Sequence, residues 1–286
     1  MDFKNIELGI VELIRKAETE LPNDVIKALK AAYNIEKGIA KTQIHAILKT
    51  IDLAKKTKRP MCQDTGIQTF FVTVGIDFPH INKLKGIILN GVKKATKEIP
   101  LRPNTVDPFT GMNHKDNSGD FIPYITWEFT VGSNVQIIAL PKGGGSENMS
   151  KLGMLKPGVG IEGVKDFVVE EMIKAGGNPC PPTVVGVGIG GGADLALKLG
   201  KKALLRPVGN RHKNKKIAEI EKELIKKINA SGIGPMGLGG KTTVLDVHIE
   251  KAHRHPASLP VGIAVQCWAD RRAYMTIYKD GTWVVK

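Results

Sequence analysis

The sequence predicts an α+β fold, with a helical N-terminal segment followed by mixed β-sheets flanked by helices. Three observations predict it. Apolar residues recur at helical spacing from Phe3 to Lys56. Beyond them, short β-branched or aromatic runs alternate with amphipathic helical stretches. The chain is also 286 residues long with 42% hydrophobic residues, enough to fill a real core. We read it as one domain over residues 1–286, with a helical lead-in over about 1–57.

In order, the lead-in places Ile6, Ile10, Leu13 and Ile14, then Val25, Leu29 and Ala32, then Ile39, Ile44, Ile47, Leu48, Ile51 and Leu53 on helical faces, with Pro22-Asn23 as the break. Residues 68–74 read as a strand and 81–97 as an amphipathic helix. Residues 101–120 are too rich in Pro, Gly, Asn and Asp for regular structure and form a long loop. Residues 124–131 and 135–140 flank Gly132-Ser133-Asn134 and read as a hairpin. A glycine loop, Gly143-Gly144-Gly145-Ser146, follows, then a helix over 161–175 and a buried strand over 183–187. A charged helix spans 214–229 and a strand 243–249, and Asp280-Gly281 turns a final hairpin.

A net charge of +14 admits an anionic partner. Lysines alternate with glutamates over 213–227 as on a solvated face, and aromatic residues make up only 5% of the chain, which disfavours nucleic acid. No run approaches the roughly 18 apolar residues of a membrane span, and the start lacks a signal-peptide pattern, so the expected location is the cytoplasm without membrane association. The three cysteines have no CxxC spacing, so neither a disulfide framework nor a local zinc knuckle is expected.

Met61-Cys62-Gln63-Asp64-Thr65-Gly66 sets a thiol, an amide, a carboxylate and a hydroxyl just before a strand. A lone cysteine is as readily a small buried hydrophobe as a ligand. Cys180, between Pro179 and Pro181, and Cys267 also fall at predicted strand ends. Thiolates converging on one cleft near the sheet ends can hold a [4Fe-4S] cluster with one iron left open, a Lewis acid for a departing hydroxyl. Arg102 offers a fork for a carboxylate, and the glycine loop offers N–H groups. His255, fixed by Pro256 twelve residues before Cys267, is expected to share the neighbourhood of that thiol. Gly186-Val-Gly-Ile-Gly-Gly matches a dinucleotide fingerprint only formally, because the acidic residue expected about 20 residues on is missing. Gly237-Leu-Gly-Gly-Lys-Thr ends like a P-loop, but the first required glycine falls on Pro235.

Cys62-Gln-Asp-Thr-Gly, Leu101-Arg-Pro-Asn, Gly143-Gly-Gly-Ser-Glu-Asn, Asn178-Pro-Cys-Pro-Pro, Gly237-Leu-Gly-Gly with Thr242-Thr-Val-Leu-Asp, and Gln266-Cys-Trp together resemble the class I (iron-sulfur) fumarate hydratase and L-tartrate dehydratase family. The resemblance runs over nearly the whole chain and corresponds to the α subunit of the two-subunit enzymes. It implies cluster ligation by Cys62, Cys180 and Cys267, substrate contacts by Gln63, Arg102 and Gly144, and catalytic roles for Asp64 and His255. It also implies a β subunit that supplies the remaining site groups, a dicarboxylate substrate, and a dimer of αβ pairs. The expected reaction is hydration of fumarate to (S)-malate, with dehydration of L-tartrate as the alternative. A basic nucleic-acid-binding or zinc-structural protein is the alternative from another class.

Overall fold

A computed structural model of the chain describes residues 1–286. In chain order its elements are α1 (Phe3–Thr19), α2 (Asn23–Ile35), α3 (Gly38–Thr57), β1 (Thr69–Gly75), α4 (Leu84–Glu98), β2 (Tyr124–Thr130), β3 (Val135–Ala139) and the single turn α5 (Gly144–Glu147). They continue with β4 (Lys151–Leu155), α6 (Gly160–Ala175), β5 (Thr183–Gly191), α7 (Ala193–Ala203), α8 (Lys215–Asn229), β6 (Val244–Arg254), β7 (Leu259–Gln266), β8 (Ala273–Ile277) and β9 (Trp283–Val285). These form helices plus two mixed sheets, the α+β class. The lead-in is helical and breaks at Pro22 as expected. No helix is long and apolar enough to cross a membrane.

The chain divides into two compact units. The first comprises Met1–Pro22, Thr50–Gly144 and Arg271–Lys286. Its sheet has the order β2-β1-β3-β8-β9. The apolar stripe of α1 (Ile6, Ile10, Leu13, Ile14) and that of α4 (Ile88, Val92, Ala95) bury against Phe70, Val72 and Val74 of β1 and Ile137 of β3. Burying such side chains removes their apolar surface from water, at roughly 25 cal/mol per Å².

The expected hairpin of β2 with β3 does not form. Strand β1 lies between them, parallel to β2 and antiparallel to β3. The turn at 131–134 crosses the end of β1, where Gly75 N–H donates to Asn134 O (2.9 Å) and Asp77 N–H to Gly132 O (3.0 Å). A Cβ on Gly75 would collide with the Gly132 carbonyl, so the missing side chain admits the crossing.

The second unit comprises Asn23–Lys49 and Gly145–Asp270, with sheet order β4-β7-β5-β6. Val164, Val168 and Met172 of α6 and Leu224 and Ile228 of α8 pack on Val185, Val187, Val247, Ile249 and Ile263. Helix α7 lies against β5 and β7 through Gly186, Gly188 and Gly262, where any Cβ would strike its backbone at Ala196 or Gly200. The glycines of the fingerprint-like run therefore sit within β5, serving close helix-sheet packing rather than a phosphate turn.

Strand β6 is an edge of this sheet, and its outward polar groups are capped. Arg211 donates to Val247 O (3.3 Å), Arg206 to Ile249 O (2.8 Å), and buried Glu221 accepts from Ile249 N–H (2.9 Å). Asp246 sits among Arg211, His248 and Gly209 N–H; burial works against its charge, but these partners hold its carboxyl below the ordinary aspartate value.

Candidate active site

In the first unit the site is built on residues 61–66, the entry to β1. Ile67 and Lys142 exchange backbone hydrogen bonds (3.0 Å each), which lays this loop beside the start of the glycine run. Gly66 has φ +70°, and a Cβ there would lie 2.5 Å from the Lys142 backbone, so glycine is required. Asp64 is half-buried and accepts an N–H on each oxygen, from Gly66 on Oδ1 (2.9 Å) and from Gly144 on Oδ2 (2.8 Å). The Gly144 donor that the sequence suggested for a substrate carboxylate thus serves Asp64.

Arg102 joins the same loop through its backbone. Its N–H donates to Thr65 Oγ1 (3.1 Å), and its carbonyl accepts from Asn117 Nδ2 (3.1 Å), while the side chain is exposed. Asn104 donates to Gly66 O (3.1 Å). Gln63 is exposed and Cys62 half-buried. Cys62, Gln63, Asp64, Gly144 and the Arg102 backbone are therefore gathered around one loop.

Two partners escaped the sequence reading. Arg271 is 1% exposed and Glu18 fully buried; Arg271 Nη1 donates to Glu18 Oε2 (2.6 Å) and Nη2 to Asp64 O (3.0 Å). Burial raises the Glu18 carboxyl above its ordinary value, while the Arg271 guanidinium and the Gln68 amide pull the other way.

In the second unit, Cys180 precedes β5 and Cys267 follows β7. These strands are antiparallel with Val184 opposite Gln266, so both thiols fall at one end of the sheet. The Trp268 N–H donates to Cys180 O (3.1 Å), tying the two cysteine turns together. Cys180 has φ 54°, a left-handed conformation that costs a non-glycine residue about 1 kcal/mol or more. The surroundings enforce it: Cys180 N–H donates to Gly177 O (3.1 Å), and Met236 N–H donates to Pro181 O (2.8 Å).

The loop at 234–240 is held in turn by Glu36, whose carboxylate accepts from Lys241 N–H (2.9 Å) and Thr242 N–H (2.6 Å). The P-loop-like glycines thus enclose a carboxylate of their own chain and brace Cys180. None of the three cysteines is in a disulfide, and all three are half-buried. In neither unit do three His, Cys, Asp or Glu side chains gather at metal-binding spacing.

His255 does not share the neighbourhood of Cys267. It lies in the exposed turn between β6 and β7, next to Arg254, which pairs with Gly191 at the far end of β5. The eight residues of β7, about 26 Å at about 3.3 Å per residue, separate this turn from Cys267. Its Nδ1 accepts from Ala257 N–H (3.1 Å), and Arg254 donates to its carbonyl (3.0 Å).

Comparison with known proteins decides the family. The family described as Fumarate hydratase (Fumerase) matches residues 8–276. The chain belongs to this fumarate hydratase family. It is 55% identical over 276 residues, 95% of this chain and 97% of the relative, to a protein named putative L(+)-tartrate dehydratase subunit alpha from Methanocaldococcus jannaschii. It is 39% identical over 266 residues, 92% of this chain and 88% of the relative, to the L(+)-tartrate dehydratase subunit alpha of Escherichia coli K12. As a member of the fumarate hydratase family the chain is a hydro-lyase, of a family that in general depends on iron-sulfur chemistry. Both relatives are named tartrate dehydratase α subunits, whereas the family description names fumarate hydratase.

Proposed function

We propose that this chain is the α subunit of an L(+)-tartrate dehydratase, removing water from tartrate to give oxaloacetate in partnership with a β subunit. The substrate assignment rests on the names of the relatives, and the chemistry rests on the residues described above. The observation that carries the chemistry is the Trp268 to Cys180 bond, which brings two thiols outside any disulfide to one sheet end in a chain whose third thiol stands two residues before Asp64.

This donor set of half-buried thiols, none of them in a disulfide, fits an iron-sulfur centre, with Cys62, Cys180 and Cys267 as its ligands. When bound, a three-thiolate cluster supplies a Lewis acid for the departing hydroxyl. Arg102 clamps a substrate carboxylate with its exposed fork, and Gln63, exposed on the same loop, orients the substrate. Gly144 acts through Asp64 by holding the carboxylate oxygen that faces it. Asp64 moves the proton on the thiolate side, and the proton on carbon goes to a base of the β subunit. His255, at the far end of its own sheet, acts in the site of a second copy of the chain within a dimer of αβ pairs.

The test is anaerobic co-expression with the β subunit, cluster reconstitution, and assay against L(+)-tartrate and against fumarate. The expected outcome is tartrate turnover by the pair and negligible turnover by this chain alone. Fumarate hydration with no tartrate turnover would replace this reading with the fumarate hydratase one that the family description suggests. Full turnover of either substrate without a second polypeptide would overturn the subunit assignment.

A further inference from the structure

We propose that Glu18 and Arg271 are positioning residues that fix the Cys62-bearing loop. The inference rests on the reading that Cys62 and Asp64 serve the site. Residues 61–66 carry no helix or strand of their own, so something else must hold them. Glu18 and Arg271 grip both flanks of Cys62. On one side, Met61 N–H donates to Glu18 O (3.0 Å). On the other, Arg271 Nη2 donates to Asp64 O (3.0 Å) while Nη1 is pinned to Glu18 Oε2 (2.6 Å). Gln68 completes the frame, its Nε2 donating to Glu18 Oε1 (3.1 Å) and Thr65 O (3.4 Å).

One guanidinium therefore spans two acceptors, the Glu18 carboxylate and a main-chain carbonyl two residues past the thiol. An ammonium in its place keeps the charge but loses the planar two-armed reach. A buried ion pair is weak evidence for stability, since desolvation offsets much of its attraction, and a fixed geometry is the better account of why a fully buried pair stands here. The same pair also sets the direction of the Asp64 carboxylate, because the Asp64 carbonyl is fixed from below while its oxygens meet Gly66 and Gly144.

Arg271→Lys separates the pair from the bridge: the Glu18 partner keeps its cation and the Asp64 carbonyl loses its donor. The experiment is timed alkylation by iodoacetamide of the full metal-free chain under anaerobiosis. Peptide mass spectrometry follows each thiol, so that Cys180 and Cys267 serve as internal controls. The expected result is a change in the Cys62 rate of about threefold or more, with the other two unmoved, because thiol reactivity follows local environment and access. In the reconstituted αβ complex the same variant should hold less iron and sulfide per chain.

An unchanged Cys62 rate, or an equal rise at all three thiols, overturns the inference, the second outcome marking general loosening. Should Arg271→Lys fail to fold, the double variant Glu18→Gln/Arg271→Gln removes both charges at once. It should give the same Cys62-selective change, since an amide at position 271 cannot reach both acceptors. The outcomes separate from those of the functional reading: a Cys62-selective change in an enzyme without tartrate turnover leaves the positioning intact, and an unchanged Cys62 in an enzyme that turns tartrate over removes only the positioning.

Discussion

Arg102 is anchored by its backbone on Thr65 and Asn117 while its side chain is exposed, which leaves the fork accessible to the proposed substrate carboxylate. Its root is fixed, and its planar fork makes two parallel bonds to a carboxylate where a lysine makes one. Arg102→Lys should therefore lower kcat/KM for tartrate by about 30-fold or more, the equivalent of about 2 kcal/mol for a desolvated charge pair. The iron-sulfur absorbance of the reconstituted complex should be unchanged. Equal kcat/KM in variant and parent would take Arg102 out of the site. At this scale the sequence was informative wherever chemistry and backbone coincide: Cys62, Asp64 and Arg102 share one polar stretch or one proline-bounded loop, and Cys180 lies between prolines. Glu18 and Arg271 gave no such signal, because their partnership spans 253 positions and nothing in the charged run Asp270-Arg271-Arg272 or in the helical stretch around Glu18 points from one to the other. Asn104 was visible as part of its motif, yet its bond to Gly66 O depends on how the 101–120 loop folds back, which no local pattern encodes.

Helices and strands followed the periodicity of the chain closely, because a 3.6-residue or two-residue apolar repeat is a local property that burial then exploits. What was not legible is how strands are ordered. Strands β2 and β3 are consecutive and separated by a glycine turn, yet β1, more than fifty residues before β2, enters between them. Helix α7, too, was hidden, since two of the glycines that admit it, Gly186 and Gly188, belong to β5 and read as a nucleotide fingerprint, while the third, Gly262, lies far along the chain in β7. Close packing of this kind gives a prediction within one helix. In α4, Gly86 faces open space, whereas a Cβ on Gly91 would lie 2.5 Å from Ile10 Cγ2 of α1. Gly86→Ala removes the entropy cost of a helical glycine and should stabilise by about 0.5–1 kcal/mol. Gly91→Ala gains the same helical preference but wedges α1 from α4, and overpacking costs about 1–3 kcal/mol, so the net effect should be a loss. Urea unfolding of the two variants should move the midpoint in opposite directions, and a stabilised Gly91→Ala would mean that α1 yields without cost.

For the whole molecule the decisive fact is the distance between the two ends of the second unit's sheet. Cys180 and Cys267 stand at one end and His255 at the other, with β7 fully extended between them. A strand does not bend back on itself over eight residues, so His255 cannot serve the thiols of its own unit. In the proposed dimer of αβ pairs it serves the other copy, and under two-fold symmetry the proposed exchange is reciprocal, each chain lending its histidine to the other's thiols. This makes complementation the test. Chains carrying Cys180→Ser have a histidine but an incomplete thiol set, and chains carrying His255→Ala have the thiols but no histidine to lend. Each, assembled alone with the β subunit, should be nearly inactive toward tartrate. Co-expressed in equal amounts, they should form mixed dimers in which one of the two sites has intact thiols and receives an intact histidine, so random pairing should restore about one quarter of the parental activity. Tandem purification on two different tags, one per variant, isolates the mixed dimers and should raise this to about one half. Mixed dimers that stay inactive would overturn the exchange, and a His255→Ala enzyme with full turnover would show that the imidazole at the β6–β7 turn has no part in the reaction.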